Sequence, residues 1–350
     1  MLTIQDTTEL DFSTHRHTRG LGPISDASAT GLKVHLTLCS SDAGVPLGIL
    51  QETVWAREKT RRGAGYRDRQ TAIEEKESYR WLEHQLQQGA ELTEYDLGVR
   101  LDEYRAAEGD YQGASFPAIV GYAGNGAIVH YRATAHNAAV VRPEGVLLLD
   151  SGGQYLQGTT DITRTVALGP VGAEVKKHYT LVLKGNIALS RAVFPEGTTG
   201  VQLDTLARAP LWQAGLNYGH GTGHGVGHFL NVHEGPQGIT PNPRGVRGQT
   251  PIMPGMLTSN EPGYYREGAY GIRIENLELC VEKMESEETK YYGFEPQTLF
   301  PISTELIDQS LLSPEEQAWL NEYHARVFEE LSPQLNADER AWLKERCRAI

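Results

Sequence analysis

Two short apolar runs, each carrying an aspartate, lie close together in the chain: residues 145–150 (GVLLLD) and 160–168 (TDITRTVAL). Both read as strands. With only a short turn between them they are expected to pair as an antiparallel hairpin. Asp150 and Asp161 stand eleven positions apart, a spacing that can set both carboxylates on one face of such a hairpin. Two carboxylates in a partly buried place repel, and one takes up a proton unless a cation sits between them. Either aspartate alone is also an ordinary cap or turn residue.

Two glutamates repeat the pattern. Glu261 in SNEPGYY and Glu275 in GIRIEN fall with the predicted strands 256–260 and 272–281. A charged, unpaired glutamate inside an apolar strand costs several kcal/mol. Arg273, two residues away, offers a salt bridge, and metal coordination is the other reading. Between the aspartates and the glutamates, residues 219–236 (GHGTGHGVGHFLNVHEGP) hold His220, His224, His228 and His233. Glycines allow the tight backbone that a site loop needs, and imidazole is the commonest metal ligand. One ligating histidine among neighbours that hydrogen-bond substrate fits this stretch better than a four-histidine cage. A dinucleotide fingerprint and a P-loop lysine are both missing, which argues against a phosphate cradle. Four carboxylates with one imidazole suit two hard or borderline divalent ions such as manganese (Mn²⁺). Cys280 reads as a buried strand residue.

The rest of the chain frames these motifs. Helices are expected over 73–88, 94–108, 175–194 and 201–216, and strands at 2–4, 32–39, 46–55, 116–122 and 299–302. A hairpin turn is expected at 42–44, a loop at 63–69, and helices after the capping-box pattern at Ser313. No apolar run is long enough for a spanning helix, and the opening MLTIQDTTELDF has no signal-peptide pattern. Three scattered cysteines rule out a disulfide scaffold and fit a reducing cytoplasm. Residues 1–80 hold 11 basic and 11 acidic side chains, so the net charge of −13 lies entirely in the remainder. That acidic bulk is a poor platform for nucleic acid. The basic cluster Arg57, Lys59, Arg61, Arg62, Arg67 and Arg69 reads as a solvated loop. The uneven charge suggests two parts of different history.

From about Trp81 to Ile350 the chain resembles the catalytic domain of aminopeptidase P, the Xaa-Pro aminopeptidase branch of the pita-bread metallopeptidases. The resemblance rests on NGAIVHY, LLLDSGGQYLQGTTDITRTVALG, VLKGNIALSRAVFPEGT, HGTGHGVGHFLNVHEGP, NEPGYYREGAYGIRIEN and PQTLFPI. It implies an α+β, pita-bread fold and five metal ligands, Asp150, Asp161, His224, Glu261 and Glu275. Asp161 and Glu275 would bridge two ions, Asp150 would complete one, and His224 and Glu261 the other. A hydroxide held between the ions would attack the bond before proline, with Glu261 shuttling the proton. The resemblance makes His130 and His233 catalytic and substrate-binding residues that stabilise the oxyanion. It sets His220 at the proline pocket and Arg273 at the substrate site, paired with a ligand carboxylate. His228 departs from the family pattern, which has a small residue there; it either narrows the pocket or faces solvent. The implied partners are peptides with proline second, with no membrane, and a homodimer is compatible.

Residues 1–78 carry a second resemblance, through IQDTTELDF, HRHTRGLGPISDASATGLKVHLTLCSSDAGVPLGILQETVWARE and IEEKESYRWLE, to the ribonuclease-H-like core of insertion-sequence DDE transposases. Asp6 matches the first of that family's three carboxylates, and the other two have no counterpart. Phosphoryl transfer with one carboxylate of three is not plausible. The resemblances meet near Ser78–Leu82. The chain is therefore read as a fusion of a truncated transposase fragment, 1–78, with an aminopeptidase catalytic domain, 79–350, lacking that family's usual N-terminal domains. A β meander without its partners is marginal, so impaired stability and dimerisation are expected. The alternatives to an active enzyme are an inactive fusion remnant and a transposase-derived DNA-binding protein.

Overall fold

The computed structural model describes residues 2–11, 22–23, 30–40 and 46–55, residue 86, and 91–350 apart from 109, 229 and 230. The expected turn at 42–44, loop at 63–69, basic cluster and most of the helix 73–88 lie outside the described residues. The chain divides into two units, Met1–Arg69 and Gln70–Ile350.

In the first unit β1 (Leu2–Asp11), β2 (Gly22–Pro23) and β4 (Pro46–Trp55) all pair antiparallel with β3 (Thr30–Ser40). β1 runs from Leu2 opposite Ser40 to Asp11 opposite Gly31, longer than the expected 2–4. The other two expected strands match β3 and β4.

The second unit opens with the short pair β5 (Leu92–Thr93) and β7 (Val140–Val141), around α1 (Glu94–Ala106) and β6 (Tyr111–Tyr122). Next come β8 (Val146–Tyr155), β9 (Gly158–Thr159) and β10 (Ile162–Ala167). The expected hairpin is present: β8 pairs antiparallel with β10, Thr163 opposite Asp150, and β6 lies on its other edge. The unbroken apolar run of β8 has a physical reason, since both its faces are covered. Leu147 packs with Leu97 and Leu101 of α1, and Leu148 with Ile119 and Tyr131.

Helices α2 (Ala173–Ser190) and α3 (Gly200–Gln213) follow, with β11 (Val193–Pro195) between them. A second sheet runs β11–β18–β17–β14–β12–β13, from β12 (Gly223–Gly225), β13 (Glu234–Ile239), β14 (Leu257–Asn260), β17 (Asn276–Glu285) and β18 (Lys290–Pro296). β15 (Gly263–Arg266) and β16 (Tyr270–Arg273) form a separate hairpin. α2 is buried along most of its length. Tyr179, Val182, Leu183 and Ile187 join one core with Leu320, Tyr323 and Val327, and Leu189 joins another with Phe194, Leu203 and Ile239. Gly185 is what lets α2 and α3 meet, because a Cβ there would stand 2.1 Å from the Ala207 carbonyl.

The C-terminal helices are α4 (Pro314–Leu331) and α5 (Ala337–Arg346). Ser313 caps α4 as its sequence predicts: Glu316 N–H donates to Ser313 Oγ at 3.3 Å, and Ser313 N–H to Glu316 Oε2 at 2.8 Å. Two expected strands are corrected. The stretch 272–281 breaks at Ile274 and Glu275, leaving β16 and β17 on either side. Residues 299–302 form no strand, because their carbonyls go to side chains: Arg164 donates to Phe300 and Pro301, and Tyr323 to Phe300. Among the described residues no helix is long and apolar enough to cross a membrane.

Candidate functional site

Asp150, Asp161, His224, Glu261 and Glu275 come from five places in the second unit and line one cavity of about 420 Å³. Asp150 stands within β8, and Asp161 immediately precedes β10. His224 is the middle residue of β12. Glu261 follows the end of β14, and Glu275 occupies the break between β16 and β17. His224 can come this close only because its neighbour is glycine: a Cβ on Gly223 would stand 1.9 Å from the Ser259 carbonyl.

The distances are those of ligands around a shared centre. His224 Nε2 lies 3.5 Å from Asp161 Oδ2 and 3.3 Å from Glu261 Oε1. Ligand atoms of Asp161, His224 and Glu275 all fall within 4.8 Å of one another. The His224 Nδ1 atom faces the Gly225 carbonyl at 2.9 Å. A carbonyl only accepts, so Nδ1 carries a proton, and Nε2 is the ring nitrogen turned toward the carboxylates. Ser259 Oγ accepts from the His224 backbone N–H at 2.9 Å and donates to Glu261 Oε1 at 3.1 Å.

These carboxylates are hard to ionise together without a cation. Burial, then the charges of Asp150 and Glu261, pushes Asp161 well above the carboxylate range. Burial, then Asp161 and Glu261, does the same to Glu275. Glu261 is raised chiefly by burial, with His224 and Arg273 working against it. The nearest counter-charge is Arg273, which donates from Nη2 to Asp150 Oδ2 at 2.5 Å. The other Asp150 oxygen, Oδ1, is buried with no hydrogen-bond partner. An orphaned carboxylate oxygen beside three carboxylates raised in this way and a correctly turned imidazole fits divalent cations, and the all-oxygen-and-nitrogen donor set fits hard or borderline ones.

The other expected residues also border the cavity. His130 and His233 line it, and the His233 ring lies 4.0 Å from that of His224, centroid to centroid. Burial, with His224 and His130 nearby, lowers His233 to about 4. His220 lines the cavity with both nitrogens engaged. Nδ1 donates to the Gly221 carbonyl and Nε2 accepts from the Tyr265 hydroxyl, each at 2.8 Å. Its pKa falls to about 4, again chiefly through burial. Arg273 in turn donates to Tyr265 at 2.8 Å, so His220 and Asp150 are connected through two side chains. His228 is exposed outside the cavity lining, with Nε2 3.3 Å from the Leu156 carbonyl. Sequence reasoning misses Tyr265, Thr163 and the apolar wall of Phe116, Pro117, Ile119 and Val129. Thr163 has a visible signal: in TDITRT it alternates onto the face of Asp161.

The comparisons agree with this architecture. The model of metallopeptidase family M24 matches residues 69–282, and that of the C-terminal region of peptidase M24 matches 290–350. The chain belongs to metallopeptidase family M24 and has its pita-bread fold. It is 47% identical over 280 residues to a probable Xaa-Pro aminopeptidase P of Laccaria bicolor, covering 78% of this chain and 43% of that protein. Aminopeptidase P2 of Arabidopsis thaliana is 48% identical over 275 residues, covering 77% of this chain and 38% of that one. The chain thus spans less than half the length of these curated relatives. Among solved structures, X-prolyl aminopeptidase of Caenorhabditis elegans, described as a cytosolic enzyme with a di-nuclear active site, is 43% identical with a TM-score of 0.72, over 77% of this chain and 44% of that one.

Proposed function

We propose that this chain is a dinuclear-metal exopeptidase that hydrolyses the bond between an N-terminal residue and a following proline. The observation that carries the reading is the meeting of four carboxylates and one imidazole, its Nε2 turned toward them, in a single cavity. Asp161 and Glu275 would hold both ions, Asp150 one, and His224 and Glu261 the other, with Mn²⁺ as the ion. When bound, such a pair of cations acidifies water near neutral pH and polarises a carbonyl.

The side chains supply the rest. Glu261, whose pKa is raised by burial, suits the role of accepting the water's proton and passing it to the proline nitrogen as the C–N bond breaks. His233 is neutral at pH 7 and keeps one N–H for an oxygen that gains negative charge, and His130 borders the same space. His220 has no free nitrogen, so it offers its ring to the apolar proline. A bond to proline nitrogen has no N–H to read, so shape and apolar contact carry that specificity, and Phe116, Ile119 and Val129 supply apolar wall.

Residues 1–78 are proposed as a truncated transposase-like fragment ahead of the catalytic domain 79–350. A cytoplasmic location and a homodimer belong to the same reading. The test is hydrolysis of a Xaa-Pro-Xaa tripeptide by metal-stripped protein with and without Mn²⁺, beside Asp161→Asn. Mn²⁺-dependent release of the first residue by wild type alone is expected; equal inertness of both proteins overturns the proposal.

A further inference from the structure

Both ligand glutamates stand where the sheet's ladder is interrupted, Glu261 past the last residue of β14 and Glu275 in the gap before β17. Where regular pairing stops, other partners must take up the backbone polar groups and so set the course of the main chain. On the N–H side these partners are backbone: Glu261 donates to the Thr222 carbonyl at 2.8 Å and Glu275 to that of Thr163 at 3.1 Å. On the carbonyl side a single buried side chain serves both segments. Asn186 of α2, fully shielded from solvent, donates from Nδ2 to the Asn260 carbonyl at 2.9 Å and to the Ile274 carbonyl at 3.2 Å. Asn260 and Ile274 are the residues directly before Glu261 and Glu275. Asn260 returns the bond, its Nδ2 donating to the Asn186 carbonyl at 2.9 Å.

A primary amide nitrogen carries two hydrogens, and here each ligand-bearing segment receives one. A carboxylate of the same shape would set an oxygen against two carbonyls, and an aliphatic side chain would leave both acceptors to find other partners. We propose that Asn186 is a positioning residue for the metal centre, holding Glu261 and Glu275 in fixed relation without touching either carboxylate. This rests on the assignment of those glutamates as ligands.

Asn186→Leu keeps the volume and removes both donors. Asn186→Ser, too short to span the two carbonyls, is made alongside so that a folding failure of the leucine variant leaves a protein to measure. Val327→Ala, a truncation in the core under α4, controls for lost stability. Metal-stripped proteins are titrated with Mn²⁺ by calorimetry, and their metal-free thermal unfolding is recorded separately. Both Asn186 variants are expected to bind Mn²⁺ about 10- to 100-fold more weakly, the range for losing an outer partner of a metal site. Val327→Ala is expected to bind like wild type at an equal or lower melting temperature. Asn186 variants that bind as tightly as wild type overturn the proposal, as does an equal loss in Val327→Ala. Wild type that binds no Mn²⁺, matching Asp161→Asn, overturns the ligand assignment itself and this inference with it.

Discussion

Thr163 and Glu275, 112 positions apart, are joined twice: the Thr163 hydroxyl donates to Glu275 Oε2 at 2.8 Å, and the Glu275 N–H donates to the Thr163 carbonyl at 3.1 Å. The same hydroxyl accepts from Arg273 Nε at 3.0 Å, and Arg273 reaches Asp150 through Nη2. One oxygen therefore links the aspartate hairpin to the glutamate side of the cavity. It does so from β10, whose alternation puts Thr163 on the face of Asp161.

Thr163→Val keeps the shape and deletes that link. It leaves Glu275 Oε2 and Arg273 Nε without this partner, at about 1–3 kcal/mol of stability. Mn²⁺ affinity is expected to fall roughly tenfold or more. Calorimetric titration checks the second claim and urea unfolding the first; unchanged affinity would show that Glu275 holds its place without Thr163.

Glu94, fully buried at the start of α1, meets only donors. Its carboxylate accepts from the backbone N–H groups of Tyr122 (2.7 Å) and Ala139 (2.8 Å), from the Tyr131 hydroxyl (2.9 Å) and from Asn125 Nδ2 (3.0 Å). These partners bracket the loop that presents His130 to the cavity. Glu94→Gln turns an N–H₂ toward donors and should cost about 1–3 kcal/mol or more. Faster amide hydrogen exchange across residues 128–138, with a fall in kcat/KM on a Xaa-Pro peptide, is the expected result. Exchange unchanged in that loop would reduce Glu94 to a general core residue.

Arg164 is buried and turns its charge on neutral acceptors. Its fork serves the carbonyls of Thr163 (3.0 Å), Glu275 (2.5 Å), Phe300 (2.8 Å) and Pro301 (3.0 Å), with Asn276 Oδ1 and the Tyr323 hydroxyl. A lysine has three donors from one point and cannot reproduce this planar spread. Arg164→Lys is expected to lower stability by more than about 3 kcal/mol, since several buried acceptors lose their donor at once. Denaturant unfolding checks it, and a loss near zero would show that the segment after β18 holds its course unaided.

Much of the site is legible in the amino-acid sequence. The strand pair around Asp150 and Asp161 stands out because burial on both faces forces an unbroken apolar run, against which a carboxylate is conspicuous. Glu275 is visible for the same reason. The break at Ile274 is not, because IRIEN reads as continuous strand and only partners distant in sequence, Asn186, Thr163 and Arg164 among them, make the interruption tolerable to the backbone. Asn186, Glu94 and Arg164 look like ordinary polar residues of a helix or strand. What makes them matter is partners 28 to 159 positions away, and periodicity carries no such information. Residues 299–302 fail as a strand for a related reason: apolar composition cannot reveal that Arg164 takes the carbonyls a neighbouring strand would have used.

His324 supplies a pH dependence remote from the cavity. The imidazole is fully buried, and its Nε2 accepts from the Ile302 N–H at 3.0 Å, so the proton is on Nδ1, which has no partner. Burial, with the Arg164 charge adding to it, lowers the pKa from the ordinary 6.5 to about 4. As pH falls the unfolded chain binds the proton first. This group's contribution is therefore complete above pH 6.5, declines between there and about pH 4, and is flat below. The full loss is about 3 kcal/mol. His324→Gln keeps an acceptor for Ile302 and removes the titration. Unfolding free energies of the metal-stripped proteins, measured by denaturant from pH 7 downward, should converge as the wild type loses more than the variant. Other histidines titrate alike in both proteins and cancel in the difference. Parallel curves across that interval would mean that His324 is protonated as readily in the folded chain as in the unfolded one.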